Sequence, residues 1–262
     1  MLGTIIGDIV GSRFELRNHK NKEFELFHPR CIFTDDTVMT LAIGKAILNS
    51  KKDYSDLSSL SIKYMREFAK MYPNSGYGYR FSQWVLSDNP KPYHSFGNGA
   101  AMRVSAIGFV AKTLDEVITL SRKVTEVTHN HKEGIKGAEA TAVAIFLAKN
   151  GYRIPEIKSY IDKHYYKMDF KLDAIRETYK TDITCQGSVP QAITAFLESN
   201  SFEDAIRNAI SIGGDSDTIA AITGGIAQAY YGIPFKIKTQ ALSYLDEHLK
   251  TILFEFESKY FL

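Results

Sequence analysis

The sequence predicts an all-α protein, and three observations support the prediction. About thirteen segments carry apolar residues at helical spacing, and no segment of useful length alternates between apolar and polar residues as a strand would. Hydrophobic residues make up 44% of the 262 positions and charged residues 24%, as in soluble globular proteins. Nothing in the composition divides the chain, so we expect a single domain over residues 1–262.

Composition and charge narrow the classes of function. A net charge of +2 with scattered Lys and Arg gives no indication of nucleic-acid or membrane binding. Cys31 and Cys185 lie far apart and lack a metal-ligand spacing, so we expect a cytoplasmic protein in a reducing environment. The first residues lack a basic segment and their apolar run is interrupted by Asp8, unlike a secretion signal. The apolar run 218–233 is short for a bilayer span, so we expect no membrane partner.

The first helix is expected to run from the first residue to Glu15. Gly3, Gly7 and Gly11 recur every four positions, so one face of this helix is bare backbone that a second helix can approach closely. Asp8 and Glu15 are seven positions apart, and two turns of helix would aim both carboxylates to the same side. The alternative is that Glu15 is a solvated helix end.

Further helices follow from the same spacing and are separated by polar or glycine-rich connections. They are expected at residues 38–48, 58–71, 113–127, 134–147, 191–197, 202–211, 219–231, 241–249 and 252–261, with a short helix ending at 111 and outer-layer helices within 154–182. Residues 17–30 form a surface loop long enough to serve as a lid. Residues 72–84 form an aromatic loop that either provides a wall for a planar ligand or packs onto the core.

Two of these helices begin with acidic motifs. Thr-Asp-Asp-Thr at 34–37 precedes one nearly all-apolar helix, and Asp-Ser-Asp-Thr at 215–218 precedes another, with Ser216 or Asp217 as its cap. If the two helix mouths face each other, two like charges about 4 Å apart cost about 4 kcal/mol at an effective dielectric constant of about 20. Such a cluster requires cations, and oxygen ligands favour Mg²⁺, Mn²⁺ or Ca²⁺ over zinc. The alternative is a pair of ordinary capped helices.

A glycine-rich turn and two histidines are further candidates for binding. In Gly97-Asn98-Gly99 the glycines would let backbone N–H groups point outward toward a phosphate or another anion, although many such turns merely connect elements. His129 and His131 lie two positions apart at a helix junction, where they can contact a ligand or cap a helix. We expect capping for His131 and ligand contact for His129.

Taken together and in order, these motifs resemble those of the ADP-ribosylglycohydrolase family. The matching stretches run from residue 1 to about residue 234 and include residues 7–11 with Glu15, then 34–37, 97–103, 128–129 and 213–221. Each motif alone is a weak signal, and the five in this order carry the resemblance.

The resemblance implies a single-domain orthogonal helical bundle whose cleft holds two Mg²⁺ or Mn²⁺ ions. The implied metal ligands are Thr34, Asp35 and Asp36 from one side and Asp215, Asp217 and Thr218 from the other. The implied contacts with ADP-ribose are Gly97, Asn98, Gly99 and Ala100, which would hold the diphosphate, and His129. Glu15 or Asp36 would be the catalytic group that stabilises positive charge and assists proton transfer.

The activity implied by the resemblance is hydrolysis of the bond between the anomeric carbon of the distal ribose and an acceptor. The substrate would be an ADP-ribosylated protein, nucleic acid or small molecule, and we expect the enzyme to be a monomer. A non-catalytic ADP-ribose-binding or crystallin-like role is a second hypothesis, against which the complete ligand set argues. A two-metal hydrolase of phosphate esters is a third.

Overall fold

The computed structural model describes residues 1–15 and 17–261. Within these ranges the chain forms fourteen α-helices, one turn of 3-10 helix and no strand, so the all-α prediction is confirmed. The α-helices are α1 (Leu2–Ser12), α2 (Asp35–Asn49), α3 (Leu57–Met71), α4 (Tyr79–Leu86), α5 (Ser105–Val110), α6 (Leu114–Thr125), α7 (Lys132–Lys149), α8 (Ile154–His164), α9 (Leu172–Ile175), α10 (Cys185–Leu197), α11 (Phe202–Ile210), α12 (Ser216–Tyr231), α13 (Phe235–Leu242) and α14 (Glu247–Tyr260). No described helix has both the length and the apolar character that crossing a membrane requires.

The helix α12 lies at the centre of the bundle. Its residues 216–227 are all buried, and α1, α7, α10 and α11 pack around it. A helix whose residues are apolar or small on every side is stable only in such a position. Its N-terminus, which carries the late acidic motif, is therefore held inside the protein.

Glycines bring α1 unusually close to α12. A side-chain carbon on Gly7 would lie 2.0 Å from the main-chain oxygen of Ala220, and one on Gly11 would lie 2.5 Å from the Cα of Asp217. Gly3 makes a similar contact one turn earlier. The predicted bare face of the first helix is thus confirmed, and its partner is the helix that begins with the late acidic motif.

The first helix ends earlier than the sequence suggests. It stops at Ser12, because Phe14 donates its main-chain N–H to Gly11 three positions back and the chain turns away. Glu15 therefore lies in a turn beyond the helix, and the expectation that Asp8 and Glu15 share one helical side is wrong.

The helix α12 is capped by a residue other than those expected. Asp215 occupies the N-cap position, and Ser216 and Asp217 lie in the first turn. The carboxylate of Asp215 makes no cap hydrogen bond, since its Oδ2 accepts from the amide of Asn98 at 2.6 Å.

The aromatic stretch and the last two helices also differ from the expected boundaries. The helix α4 begins at Tyr79, so the loop is shorter than predicted, and Trp84 is buried with its ring stacked on Phe81 at 5.5 Å. The helices α13 and α14 begin earlier than expected because Pro234 and Asp246 occupy their N-cap positions.

Candidate functional site

The two acidic helix mouths both line a cleft of about 360 Å³. Asp36 Oδ2 at the start of α2 accepts the hydroxyl of Thr218 in the first turn of α12 at 3.2 Å. Glu15, Asp215 and Asp217 each place one carboxylate oxygen within 4.8 Å of the other two. The expectation that motifs nearly two hundred residues apart share one cavity is therefore confirmed. Asp35 lines the same cleft.

Asp8 holds the beginning of α2 in place. Its Oδ2 accepts the main-chain N–H groups of Thr34 and Thr37 at 2.9 and 3.0 Å, and its Oδ1 accepts the Thr34 hydroxyl at 2.7 Å. The Thr37 hydroxyl donates to it as well. Asp8 is therefore a helix-positioning residue that holds the start of α2 by hydrogen bonds.

Thr34 serves first as a helix cap. Its hydroxyl donates to Asp8 and accepts the main-chain N–H of Asp36 at 3.3 Å. A hydroxyl oxygen has two lone pairs, so one remains for another partner. Its expected role as a metal ligand is compatible with this geometry and stays a prediction.

Burial and mutual repulsion disfavour the charged forms of these carboxylates. Burial, and then the charge of Asp217, raise the pKa of Asp36 well above its ordinary value. Burial followed by Asp215 does the same for the pKa of Asp217, and burial followed by Asp8 raises the pKa of Asp35 to about 8. A site of this kind needs either protons or a cation to balance it.

One oxygen atom of the carboxylate cluster favours a cation over protons. Asp36 Oδ1 is buried and has no hydrogen-bond partner among the described residues. An unpartnered buried oxygen is costly to the folded protein, and hard oxygen donors suit Mg²⁺, Mn²⁺ or Ca²⁺. The residues present thus fit a divalent cation.

The glycine-rich turn lines the same cleft beside Asp215 and is tied into the protein more tightly than expected. Gly97 donates its N–H to Ser95 Oγ at 3.2 Å, Asn98 donates to the Ile183 oxygen at 2.8 Å, and Ala100 donates back to Gly97 at 3.2 Å. Of these turn residues, Gly99 has an N–H without an acceptor among the described residues. Several outward N–H groups were expected, but only that of Gly99 is available to a ligand among these turn residues. The others donate to Ser95, to Gly97 or to Ile183 before α10.

His129 lies against this turn and is neutral. Burial, and then the charge of Arg103, hold the pKa of His129 well below its usual range. Its Nδ1 lies 2.7 Å from the Thr128 hydroxyl and 3.3 Å from Arg103 Nη2, and the Arg103 group can only donate. Nδ1 is then the acceptor, which assigns the proton to Nε2, the atom nearest Gly97 and Gly99.

The cleft contains a cation that sequence reasoning did not single out. Arg103 is 1% exposed and lines the cleft, and no carboxylate among the described residues lies within ion-pair distance of it. Burial lowers its pKa to about 10, so it stays charged at neutral pH. Its signal in the sequence is one arginine in the otherwise apolar stretch 100–111.

The remaining walls of the cleft are aromatic and partly exposed. Tyr79 and Phe81 line it as the aromatic stretch suggested, whereas Trp84 packs in the core. The Arg80 guanidinium lies 5.0 Å from the centre of the Tyr93 ring, and both residues line the cleft. Arg80 belongs to the predicted aromatic stretch 72–84, whereas Tyr93 lies outside it and was missed because its flanking residues form no motif.

His131 does not belong to the cleft. Its Nδ1 accepts the main-chain N–H of Glu133 at 3.1 Å, and it occupies the N-cap position of α7. The predicted capping role is confirmed.

Comparisons with known proteins show which proteins this chain resembles. ADP-ribosylhydrolase ARH3 of Xenopus tropicalis is 28% identical, in an alignment covering 94% of this chain and 91% of that protein. The ARH3 of Homo sapiens is 27% identical over 89% of this chain and 84% of its own length. ADP-ribosylarginine hydrolase Tri1 of Pseudomonas putida is 27% identical over 89% of this chain and 70% of its own.

Structure and family comparisons extend over nearly the whole chain. A solved structure titled "ADP-ribosylglycohydrolase-related protein complex" aligns with a TM-score of 0.71 at 22% identity, covering 97% of this chain and 94% of that one. The family model described as ADP-ribosylglycohydrolase matches residues 1–255. The chain therefore belongs to the ADP-ribosylglycohydrolase family.

Proposed function

We propose that this protein is a metal-dependent hydrolase that removes ADP-ribose from a modified acceptor. The bond cleaved is the one at the anomeric carbon of the distal ribose. The observation that carries the proposal is the convergence of Glu15, Asp36, Asp215 and Asp217 in a cleft large enough for a ligand of this class. The family, and the relatives named as ADP-ribosylhydrolases, support the choice of substrate.

The acidic part of the cleft would hold two Mg²⁺ or Mn²⁺ ions. The residues that would hold them are Thr34, Asp35 and Asp36 from α2 and its cap, and Asp215, Asp217 and Thr218 from α12 and its cap. Bound ions would supply Lewis acidity and orient the ribose hydroxyls and a water molecule. The unpartnered Asp36 Oδ1 and the absence of nitrogen or sulfur donors from this set support a hard cation.

Glu15 is the best placed group for proton transfer. Its side chain is exposed to the cleft, and partial burial followed by the charge of Asp215 raises its pKa. A carboxyl group with a raised pKa is a better proton donor to the departing acceptor than an ordinary one. Asp36 is the second candidate, and its deep burial makes electrostatic stabilisation of a positively charged anomeric carbon its more suitable role.

The part of the cleft lined by Arg103, His129 and Gly99 suits the anionic part of ADP-ribose. Arg103 supplies positive charge without a protein carboxylate to neutralise it, and His129 directs an Nε2 proton toward the turn at Gly97 to Ala100. The free N–H of Gly99 adds one more donor. Charge complementarity would therefore place the diphosphate beside Arg103 and Gly99, and the distal ribose among the carboxylates.

The proposal is tested by substrate hydrolysis with and without metal. Release of ADP-ribose would be measured from arginine-linked, serine-linked, nucleic-acid-linked and polymeric ADP-ribose substrates, in Mg²⁺ and in EDTA. We expect turnover of at least one substrate in Mg²⁺ and none in EDTA. Asp217→Asn should lower this turnover by at least about 100-fold, because it removes charge from the cation site.

The exposed Asp169 provides a matched control, since Asp169→Asn makes the same chemical change away from the cleft and should leave turnover unchanged. Full activity of Asp217→Asn in EDTA would contradict the proposal. Release of phosphate instead of ADP-ribose would indicate the phosphoester hydrolase, and ADP-ribose binding without any turnover would indicate the non-catalytic role.

A further inference from the structure

The loop after Glu15 is bonded to the loop that precedes α12. Asn18 Oδ1 accepts the main-chain N–H of Gly214 at 3.1 Å. Lys20 Nζ donates to the main-chain oxygen of Ile212 at 2.6 Å. Two side chains of one short segment thus fasten the main chain before and after Gly213.

The segment they fasten has little conformational preference of its own. Gly213 and Gly214 have φ angles of 69° and 79°, in the left-handed region that glycine adopts readily. A side-chain carbon on Gly213 would lie 2.2 Å from Asn18 Oδ1, and one on Gly214 would lie 2.4 Å from the Tyr179 ring. The glycines therefore permit the close approach of Asn18, and the bond from Asn18 selects one conformation of a flexible pair.

The position of this loop determines where the late carboxylates lie. Gly214 directly precedes Asp215, and Asp215 and Asp217 each have an oxygen within 4.8 Å of one in Glu15. Asn18 comes three positions after Glu15 in the chain. One side chain thus links the segment that carries Glu15 to the loop that carries Asp215.

Lys20 strengthens the same connection from the other side. Its ammonium group also donates to the main-chain oxygen of Tyr179 at 2.7 Å, and no carboxylate among the described residues pairs with it. The Lys20 ammonium group therefore donates to main-chain carbonyl groups that would otherwise need water as a hydrogen-bond donor. The 17–30 loop is in this region a strap across the Gly213-Gly214 loop and not a free lid.

We infer that Asn18, assisted by Lys20, is a positioning residue that fixes the Gly213-Gly214 loop and thereby the separation of Glu15 from Asp215. The inference rests on the proposed function, because it treats these carboxylates as parts of a cation-dependent hydrolase. Asn18 acts through Gly214 and not on the substrate. Residues that orient metal ligands in this indirect way commonly contribute about 10–100-fold to metal affinity or activity.

The test removes the acceptor while keeping the backbone conformation. Asn18 has a φ of 46°, so Asn18→Gly tolerates the same backbone and loses the side-chain oxygen. We expect the dissociation constant for Mg²⁺, measured by calorimetry, to rise about 10–100-fold, with a similar fall in kcat and little change in KM. Asn18→Asp keeps the acceptor and should restore most of both. Lys20→Met should change both values in the same direction by a smaller factor.

A neighbouring asparagine provides the matched control. Asn21 lies in the same loop and its Oδ1 accepts the main-chain N–H of Glu23 at 3.0 Å, so Asn21→Gly removes a similar bond without touching the glycine loop. Wild-type values of the Mg²⁺ dissociation constant and kcat in Asn18→Gly, or equal losses in Asn21→Gly, would overturn this inference but not the proposed function. No Mg²⁺ binding by the wild-type protein would contradict the proposed metal centre, and the inference with it.

Discussion

Asp36 is buried beside Asp217, and one of its carboxylate oxygens has no hydrogen-bond partner among the described residues. Its pKa in the folded protein is raised above the value in the unfolded chain. The unfolded chain therefore gives up this proton more easily, and the folded protein loses stability as the pH rises above about 4. At neutral pH without metal, this residue opposes folding.

We therefore expect Asp36→Asn to be more stable than the wild-type protein in EDTA. The amide has nearly the same shape and can still accept from Thr218, while one negative charge is lost. Each kcal/mol of relieved repulsion should raise the melting temperature by about 2–4 °C. The proposed cation site predicts that Mg²⁺ raises the melting temperature of the wild-type protein and that Asp36→Asn loses this rise.

Differential scanning fluorimetry at neutral pH, with EDTA and with Mg²⁺, measures both effects. Asp169→Asn is the control and should show the wild-type values in each condition, since this residue is exposed. A lower melting temperature of Asp36→Asn in EDTA would show that the carboxylate stabilises the metal-free protein and would refute this account.

His129 also makes the stability of the folded protein depend on pH, but its ionised form is a cation, so the dependence has the opposite direction. Its pKa in the folded protein is lowered, so below about pH 6.5 the unfolded chain binds a proton that the folded protein excludes. Stability is then fully present above that pH and is lost as the pH falls toward the folded-state pKa. His129→Gln removes this titration.

We expect the melting temperature of His129→Gln to fall less than that of the wild-type protein between about pH 7.5 and about pH 5.5. Thermal unfolding in EDTA at several pH values measures the slope without metal. His164→Gln changes an exposed histidine and should keep the wild-type slope. Identical slopes in His129→Gln and the wild-type protein would be inconsistent with a buried neutral imidazole.

Single residues were predictable from sequence where their chemistry repeats a local pattern. Asp35, Asp36, Asp215 and Asp217 stand out because acidic residues cluster at the start of an apolar helix, and all of them line the cleft. Arg103 does not stand out, because burial of a charged side chain depends on which distant residues surround it.

At the scale of helices, the glycine face of α1 controls how closely the two acidic motifs approach. Gly7→Ala would place a carbon 2.0 Å from the Ala220 oxygen, which is a backbone atom and can move only with its helix. We expect a loss of about 1–3 kcal/mol in the free energy of unfolding, as for other overpacked interiors. The response to Mg²⁺ should weaken too, since α12 would shift with its N-terminus.

Urea unfolding of Gly7→Ala and Gly78→Ala compares these effects. A side-chain carbon on Gly78 meets no described atom within 4 Å, and its φ of −60° suits alanine, so this control should be neutral or slightly stabilising. Equal stability of the two variants would mean that α1 and α12 do not depend on the glycine contact.

Helices were predictable from apolar spacing, and their ends were less so. The helices α2 and α12 contain the expected segments 38–48 and 219–231. Helix ends differ from the prediction because the groups at a helix end have competing hydrogen-bond partners. At the start of α12, the carboxylate of Asp215 accepts from Asn98, and α1 ends where the main-chain N–H of Phe14 donates to Gly11. These competing contacts come from other parts of the fold or from turn geometry that apolar spacing does not encode.

At the scale of the whole molecule, the sequence indicated two halves of a site and the fold brought them together. Each motif predicts its own oxygen donors, but only the packing of α1, α2 and α12 places Asp36 within 3.2 Å of Thr218. The resemblance to a family supplied this juxtaposition in advance, whereas spacing along the chain did not. The strap at Asn18 and Lys20 depends on contacts across almost two hundred residues and has no local signature.

The pairing of α1 with α12 also has a consequence for how the protein is made. The bond from the Gly3 N–H to Gln228 Oε1, 2.7 Å long, joins residues 225 positions apart. While the ribosome is still adding the intervening helices, the glycine face of α1 has no partner helix to pack against. The two acidic motifs of the proposed site can therefore meet only after α12 has been synthesised, and a chain that ends before α12 has no assembled site.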